Sequence, residues 1–212
     1  MFKFFDVDQN SDEWFGMRGG KLTSSKLGVI MANYGKAFGE PAKKYAVNIA
    51  IEQITGNPIA SNYSNEHMER GHEQEPVARA LYEDETFCDV TNGGFFGSDF
   101  IGCSPDGLVC DDGVIEIKSV ISSVHYSNVK RQNVDPAYRW QCYGNLKFTD
   151  RKWLDFISYC ADYPQGKQLF IYRIKPEDLT EEFKQIDDRI QQFKKLVDDT
   201  KKSIIESSYL NY

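Results

Sequence analysis

Three side chains of useful chemistry lie close together: Asp106 in Ser104-Pro105-Asp106-Gly107-Leu108, then Glu116 and Lys118 in Ile115-Glu116-Ile117-Lys118. Between them Asp111-Asp112-Gly113 reads as a hairpin turn. Successive side chains of a strand point to opposite faces, so Glu116 and Lys118 share one face while Ile115 and Ile117 take the other. Pairing across the turn brings Asp106 beside Glu116. Two carboxylates that close repel unless a cation stands between them, and hard oxygen donors suit Mg²⁺ or Mn²⁺. The expected ligand set is Asp106, Glu116 and the carbonyl oxygen of Ile117. Lys118 is then placed to orient or help deprotonate a water and to offset charge building on a phosphate. This is chemistry suited to phosphodiester hydrolysis. Taken alone the pattern is loose, because Asp-Gly pairs form turns in many β-rich proteins and Glu-x-Lys is often a solvated pair.

The chain that must position these groups has 212 residues, of which 41% are hydrophobic and 14% aromatic. That is enough for one sizeable core and short for two, so residues 1–212 are expected to form a single domain. A formal net charge of −7 argues against broad, charge-driven adhesion to nucleic acid. If DNA is the substrate, the positive groups must be gathered in one groove. Cys88, Cys103, Cys110, Cys142 and Cys160 form no Cys-x-x-Cys pair and read as reduced thiols. No apolar run reaches the roughly 18 residues of a membrane span, and an acid at Asp6 interrupts any signal-like start. A soluble, intracellular protein is expected.

Periodicity predicts an α/β (α+β) fold: a small mixed central sheet flanked by helices, with a long C-terminal amphipathic helix. Ser11 can cap a helix carrying Trp14 and Phe15, and Thr23 or Ser24 a second one through about Ala32. Glu40-Pro41 opens a helix that Gly56 closes. Ser64 to Asp84 reads as helical, started, kinked or divided at Pro76. Short strands follow at Phe87 to Thr91, Ile101 to Ser104, Gly107 to Cys110 and Val114 to Lys118. Helices at Ser122 to Arg131 and Pro136 to Lys147 precede strands at Trp153 to Cys160 and Gln168 to Ile174. From Pro176 to about Ile205, apolar residues recur at spacings of three and four.

With its flanks the sequence resembles the bacteriophage lambda exonuclease family, the YqaJ-like viral recombinase exonucleases of the PD-(D/E)-x-K nuclease superfamily. The blocks that carry the resemblance are Trp14-x-x-x-Arg18 with Thr23-Ser24-Ser25, and Gly71-x-x-x-Glu75 with Ala78 and Leu81. They continue with Ser104 to Leu108 plus Glu116-Ile117-Lys118, and with Tyr138-x-x-Gln141 plus Tyr143. The resemblance implies catalytic roles for Asp106, Glu116 and Lys118, a helix-borne metal carboxylate at Glu75, and a glutamine near the nucleophilic water or metals at Gln141. It further implies a 5′-phosphate pocket of Arg18, Ser25 and Ser104; a guanidinium with hydroxyl donors suits a terminal phosphate dianion. Where the lambda enzyme has an arginine suited to that pocket this chain has Val124, so His125 or Lys130 would have to compensate, and Tyr138 is a further candidate DNA contact. The implied activity is 5′ to 3′ digestion of one strand of linear duplex DNA with two Mg²⁺ ions. The implied setting is a homotrimeric ring, phage- or prophage-encoded, in the bacterial cytoplasm, handing a 3′ single strand to an annealing protein. A site-specific or structure-selective endonuclease of the same superfamily, and a non-catalytic DNA-end-binding adaptor, are the alternatives.

Overall fold

The structure, a computed structural model, describes residues 2–59 and 66–209. Its elements run β1 (Lys3–Phe5), α1 (Asp12–Arg18), β2 (Leu22–Thr23), α2 (Leu27–Met31), α3 (Glu40–Thr55), α4 (Glu66–Thr86), β3 (Val90–Thr91), β4 (Phe95–Gly97) and β5 (Ile101–Cys103). They continue with β6 (Gly107–Val109), β7 (Gly113–Ser119), α5 (Ser122–Arg131), α6 (Arg139–Thr149), β8 (Trp153–Tyr159), β9 (Leu169–Ile174) and α7 (Thr180–Glu206). The mixed α/β class and the long last helix agree with the periodicity.

The strands form two sheets, with orders β1-β4-β5-β2 and β3-β6-β7-β8-β9. In the larger one, β7 and β8 run parallel while their outer neighbours are antiparallel. A parallel pair needs a crossover, which α5 and α6 supply. One sheet face presents Val114, Leu154 and Phe156 to a core completed by α2, α3, α6 and α7. The other presents Ile115, Ile117 and Ile157 to Ala78 and Tyr82 of α4. Strand β7 is thus covered on both faces, and the face carrying Glu116 is as deeply packed as the apolar one. Helix α6 lies close because residue 144 is glycine: a Cβ there would stand 2.3 Å from a Leu27 methyl and 2.9 Å from Ser24 Oγ. Among the described residues no helix is long and apolar enough to cross a membrane.

Several boundaries differ from the periodicity. The expected helix start at Ser64 lies outside the described residues. Pro76 neither starts nor divides α4 but sits inside it, where packing of Ala78 and Tyr82 offsets the lost backbone donor. Thr23 makes no capping bond to the helix; it ends β2, and Ser24–Lys26 form a 3-10 turn before α2. The strand expected from Phe87 shrinks to Val90–Thr91, because Phe87 takes a left-handed backbone (φ 56°) that leaves the ladder. Strands β1, β2 and β4 were not anticipated, since runs of two or three residues carry almost no period.

Candidate active site

The hairpin of β6 and β7 brings Asp106, Glu116 and Lys118 together. Gly107 pairs with Ile115 across the ladder, and the Asp106 N–H donates to the Ile115 carbonyl at 3.0 Å. The Ile117 N–H in turn donates to Asp106 Oδ2 at 2.6 Å, so the carboxylate is aimed by the strand beside it. Three approaches hold the Pro105–Asp106 turn from outside. Gln9 donates to the Pro105 carbonyl at 2.9 Å, Arg79 of α4 donates to the Asp106 carbonyl, and Gly93 packs on the turn. A Cβ on residue 93 would fall 1.8 Å from the Pro105 oxygen.

Glu116 is fully buried and receives donors on both oxygens. Lys118 Nζ lies 2.5 Å from its Oε1 and 4.0 Å from Asp106 Oδ2. Gln141 Nε2 donates to Oε1 at 2.5 Å, and Asn145 Nδ2 to Oε2 at 2.6 Å. Burial first, then the neighbouring Asp106, pushes the Glu116 carboxyl up to about 8 against the pull of Lys118. Burial works against the Lys118 ammonium, but Glu116 and Asp106 outweigh it and hold it protonated above the ordinary lysine range. Glu75 joins the group from α4. Burial and then Asp106 raise it to about 7, while Arg79, 3.6 Å away, opposes them.

Glu75, Asp106 and Lys118 line one cleft of about 830 Å³, which also receives Arg18, Ser25, Ser104, Tyr138 and Gln141; Glu116 is buried outside its wall and meets it through Lys118 and Gln141. Trp14 organises the far end of the cleft. The ring lies under the Arg18 guanidinium at 3.9 Å, and the indole N–H donates to Ser104 Oγ at 2.8 Å. Arg18 reaches Ser25 Oγ at 3.4 Å. Tyr138 lies near Lys118, whose Nζ is 5.3 Å from the ring centre.

His125 and Lys130 do not reach the site. His125 is fully buried against the Tyr163 ring, with Nδ1 3.0 Å from Ser158 Oγ and Nε2 3.2 Å from the Lys167 carbonyl, so the expectation that it touches DNA is corrected: α5 turns it into the core. Lys130 is exposed on the same helix and is not part of the cleft wall. The position of Val124 is in the wall, and Arg70 brings a guanidinium into the cleft, donating to the Ser119 carbonyl at 3.3 Å. Arg70, Arg79, Trp14 and Asn145 were not singled out for roles of their own from the sequence. Asn145 had one available signal, its i+4 spacing from Gln141 on a helix.

A family model for the YqaJ-like viral recombinase domain matches residues 13–152. The chain belongs to the YqaJ-like viral recombinase family. Among solved structures it is similar to an alkaline exonuclease from Laribacter hongkongensis, with 30% identity, a TM-score of 0.75, and coverage of 92% of this chain and 99% of that one. The complex of that exonuclease with dAMP matches at 31% identity and a TM-score of 0.76, with the same coverage. A phage-related exonuclease from Haemophilus somnus 129PT shares the fold at 15% identity and a TM-score of 0.65, over 89% of this chain and 96% of that one. No curated protein matches in sequence. The likeness to the alkaline exonuclease runs along nearly the whole of both chains.

Among the described residues, no three His, Cys, Asp or Glu side chains close into a metal cage. The donor set suits a hydrated hard cation instead. The positive charges acting on Glu75 and Glu116 are Lys118 and Arg79, against three carboxylates with Asp106, and Mg²⁺ typically takes one or two carboxylates and keeps its waters.

Proposed function

We propose that the protein is a Mg²⁺-dependent exonuclease that digests one strand of linear duplex DNA from a 5′-phosphorylated end in the 5′ to 3′ direction, leaving a 3′ overhang. The observation that carries this reading is the shared cleft, lined by Asp106 and Lys118 together with Arg18, Ser25 and Ser104, with buried Glu116 bonded to the Lys118 and Gln141 side chains of its wall. Asp106, Glu116, Glu75 and the Ile117 carbonyl would hold Mg²⁺, with Mn²⁺ as a substitute and room in the proposal for two ions. The metal supplies Lewis-acid polarisation of the phosphoryl oxygens and acidifies a bound water.

The chain's own groups perform the rest. Arg18 with the Ser25 and Ser104 hydroxyls donates to the terminal phosphate, the group that distinguishes a 5′ end from internal phosphates. Lys118, held as an ammonium by its two acids, orients the attacked phosphate and offsets charge developing on it. Gln141 spans Glu116 and the cleft, and Tyr138 closes the wall beside Lys118. Arg70 takes the cationic place that Val124 leaves empty of charge. A ring of three copies would hold the duplex by enclosure, which reconciles DNA binding with a net charge of −7. The exposed 3′ strand would pass to a single-strand annealing protein of the phage or prophage, in the bacterial cytoplasm.

Duplex labelled at either end, incubated with protein and Mg²⁺ beside a closed circle, reads polarity and end dependence together. Release from the 5′ end with an intact circle is expected. Cutting of the circle would establish an endonuclease, and absence of turnover an end-binding module. Arg18→Ala should lose far more activity on 5′-phosphate than on 5′-hydroxyl ends; equal loss on both would refute the pocket.

A further inference from the structure

Helix α6 places Gln141 and Asn145 one turn apart on the same face. Their amide nitrogens meet opposite oxygens of a single carboxylate, Gln141 on Glu116 Oε1 at 2.5 Å and Asn145 on Oε2 at 2.6 Å. Asn145 presents the NH₂ end of its amide to Glu116, whose Oε2 accepts. The consequence is that Asn145 Oδ1 is buried and makes no hydrogen bond. A buried asparagine serving only the core would be expected to satisfy both ends of its amide. Here one end is left unpartnered while the other grips the acid. Asn145 is also fully buried, so it cannot touch DNA.

We propose that Asn145 is a positioning residue for the metal-binding acid: with Gln141 it clamps both oxygens of Glu116 and fixes the carboxylate plane presented to the cation. This rests on the reading of Glu116 as a metal ligand. Without Asn145, Oε2 would lose its partner and the carboxylate could rotate about its last torsion, held only at Oε1. Partners behind a metal ligand commonly contribute tenfold to a hundredfold in affinity.

Direct Mn²⁺ titration of DNA-free protein by calorimetry tests this apart from turnover. Asn145→Leu keeps the volume and removes the donor; Asn145→Ser is a smaller replacement whose hydroxyl is too short to reach Glu116. In whichever variant unfolds cooperatively, the Mn²⁺ dissociation constant should rise about tenfold or more. The Mg²⁺ concentration for half-maximal hydrolysis should rise in parallel, with KM for DNA ends unchanged. Mn²⁺ affinity within twofold of the parent in a folded variant would overturn the clamp, as would loss of the fold in both variants, since Asn145 would then be serving the core. Glu116→Gln separates the two readings. If it binds Mn²⁺ like the parent, the metal role of Glu116 fails; if it abolishes binding while Asn145→Leu does not weaken it, only the clamp fails.

Discussion

A histidine buried without a counter-ion ties stability to pH. Burial lowers the pKa of His125, with the Lys167 carbonyl opposing, whereas in the unfolded chain it titrates near about 6.5. The folded state therefore favours the neutral ring. Its contribution is complete above about pH 6.5 and is lost as pH falls toward the lower folded value. His125→Gln should show a shallower decline of melting temperature below about pH 6.5 than the parent; parallel declines in a calorimetric pH series would exclude the linkage. Lys118 behaves oppositely, because burial alone would strip its proton while two adjacent acids retain it. Proximity to charge decides the difference between the two.

At the level of elements, the geometry of the acids depends on how α4 docks on the sheet. Tyr82 donates to Asp155 Oδ2 at 2.7 Å, and Arg173 meets both oxygens of the same carboxylate at 2.7 Å. Asp155 is buried, and the Arg173 guanidinium stacks 3.7 Å over Trp153. Burial and then Asp155 push the Tyr82 phenol above its ordinary range, so it remains a donor. Because Tyr82 lies on the helix that carries Glu75 and Arg79, this bond sets their height over Asp106. Tyr82→Phe should cost about 2 kcal/mol in urea unfolding, the usual worth of a hydrogen bond to a charged group. An unchanged midpoint would show that apolar packing alone seats the helix.

On the scale of the whole molecule, the last helix is joined to the N-terminal half through a buried cation. Arg189 donates to the carbonyls of Ile30 at 2.7 Å, Lys36 at 3.0 Å and Ala32 at 3.4 Å, and to Gln192 Oε1 at 2.8 Å. Its guanidinium also stacks 3.7 Å over Phe38. The carbonyls at the end of α2 thus find donors from a residue more than 150 positions away. Arg189→Met keeps much of the apolar stem and strands those carbonyls. A loss on the order of 3 kcal/mol by equilibrium denaturation is expected, from the penalty of unsatisfied buried acceptors; a loss below about 1 kcal/mol would mean the segment re-satisfies them with water.

Local pattern was enough to determine α3, α7, the β6–β7 hairpin and the convergence of Asp106, Glu116 and Lys118, because their spacing is short and the period of a strand settles which side chains share a face. The family motifs added Glu75, Gln141 and Arg18, whose partners are distant in the chain. What remained for tertiary structure were matters of long-range packing. It decided that α6 would bury Glu116 and bring Asn145 to it, that α5 would turn His125 inward, and that Arg70 and not Lys130 would enter the cleft. Strands of two or three residues at β1, β2 and β4 exist only because neighbours complete their hydrogen bonds. A side chain's type and spacing state which chemistry it can perform; its depth, partners and neighbouring charge are properties of the packed whole, which no short stretch of residues contains.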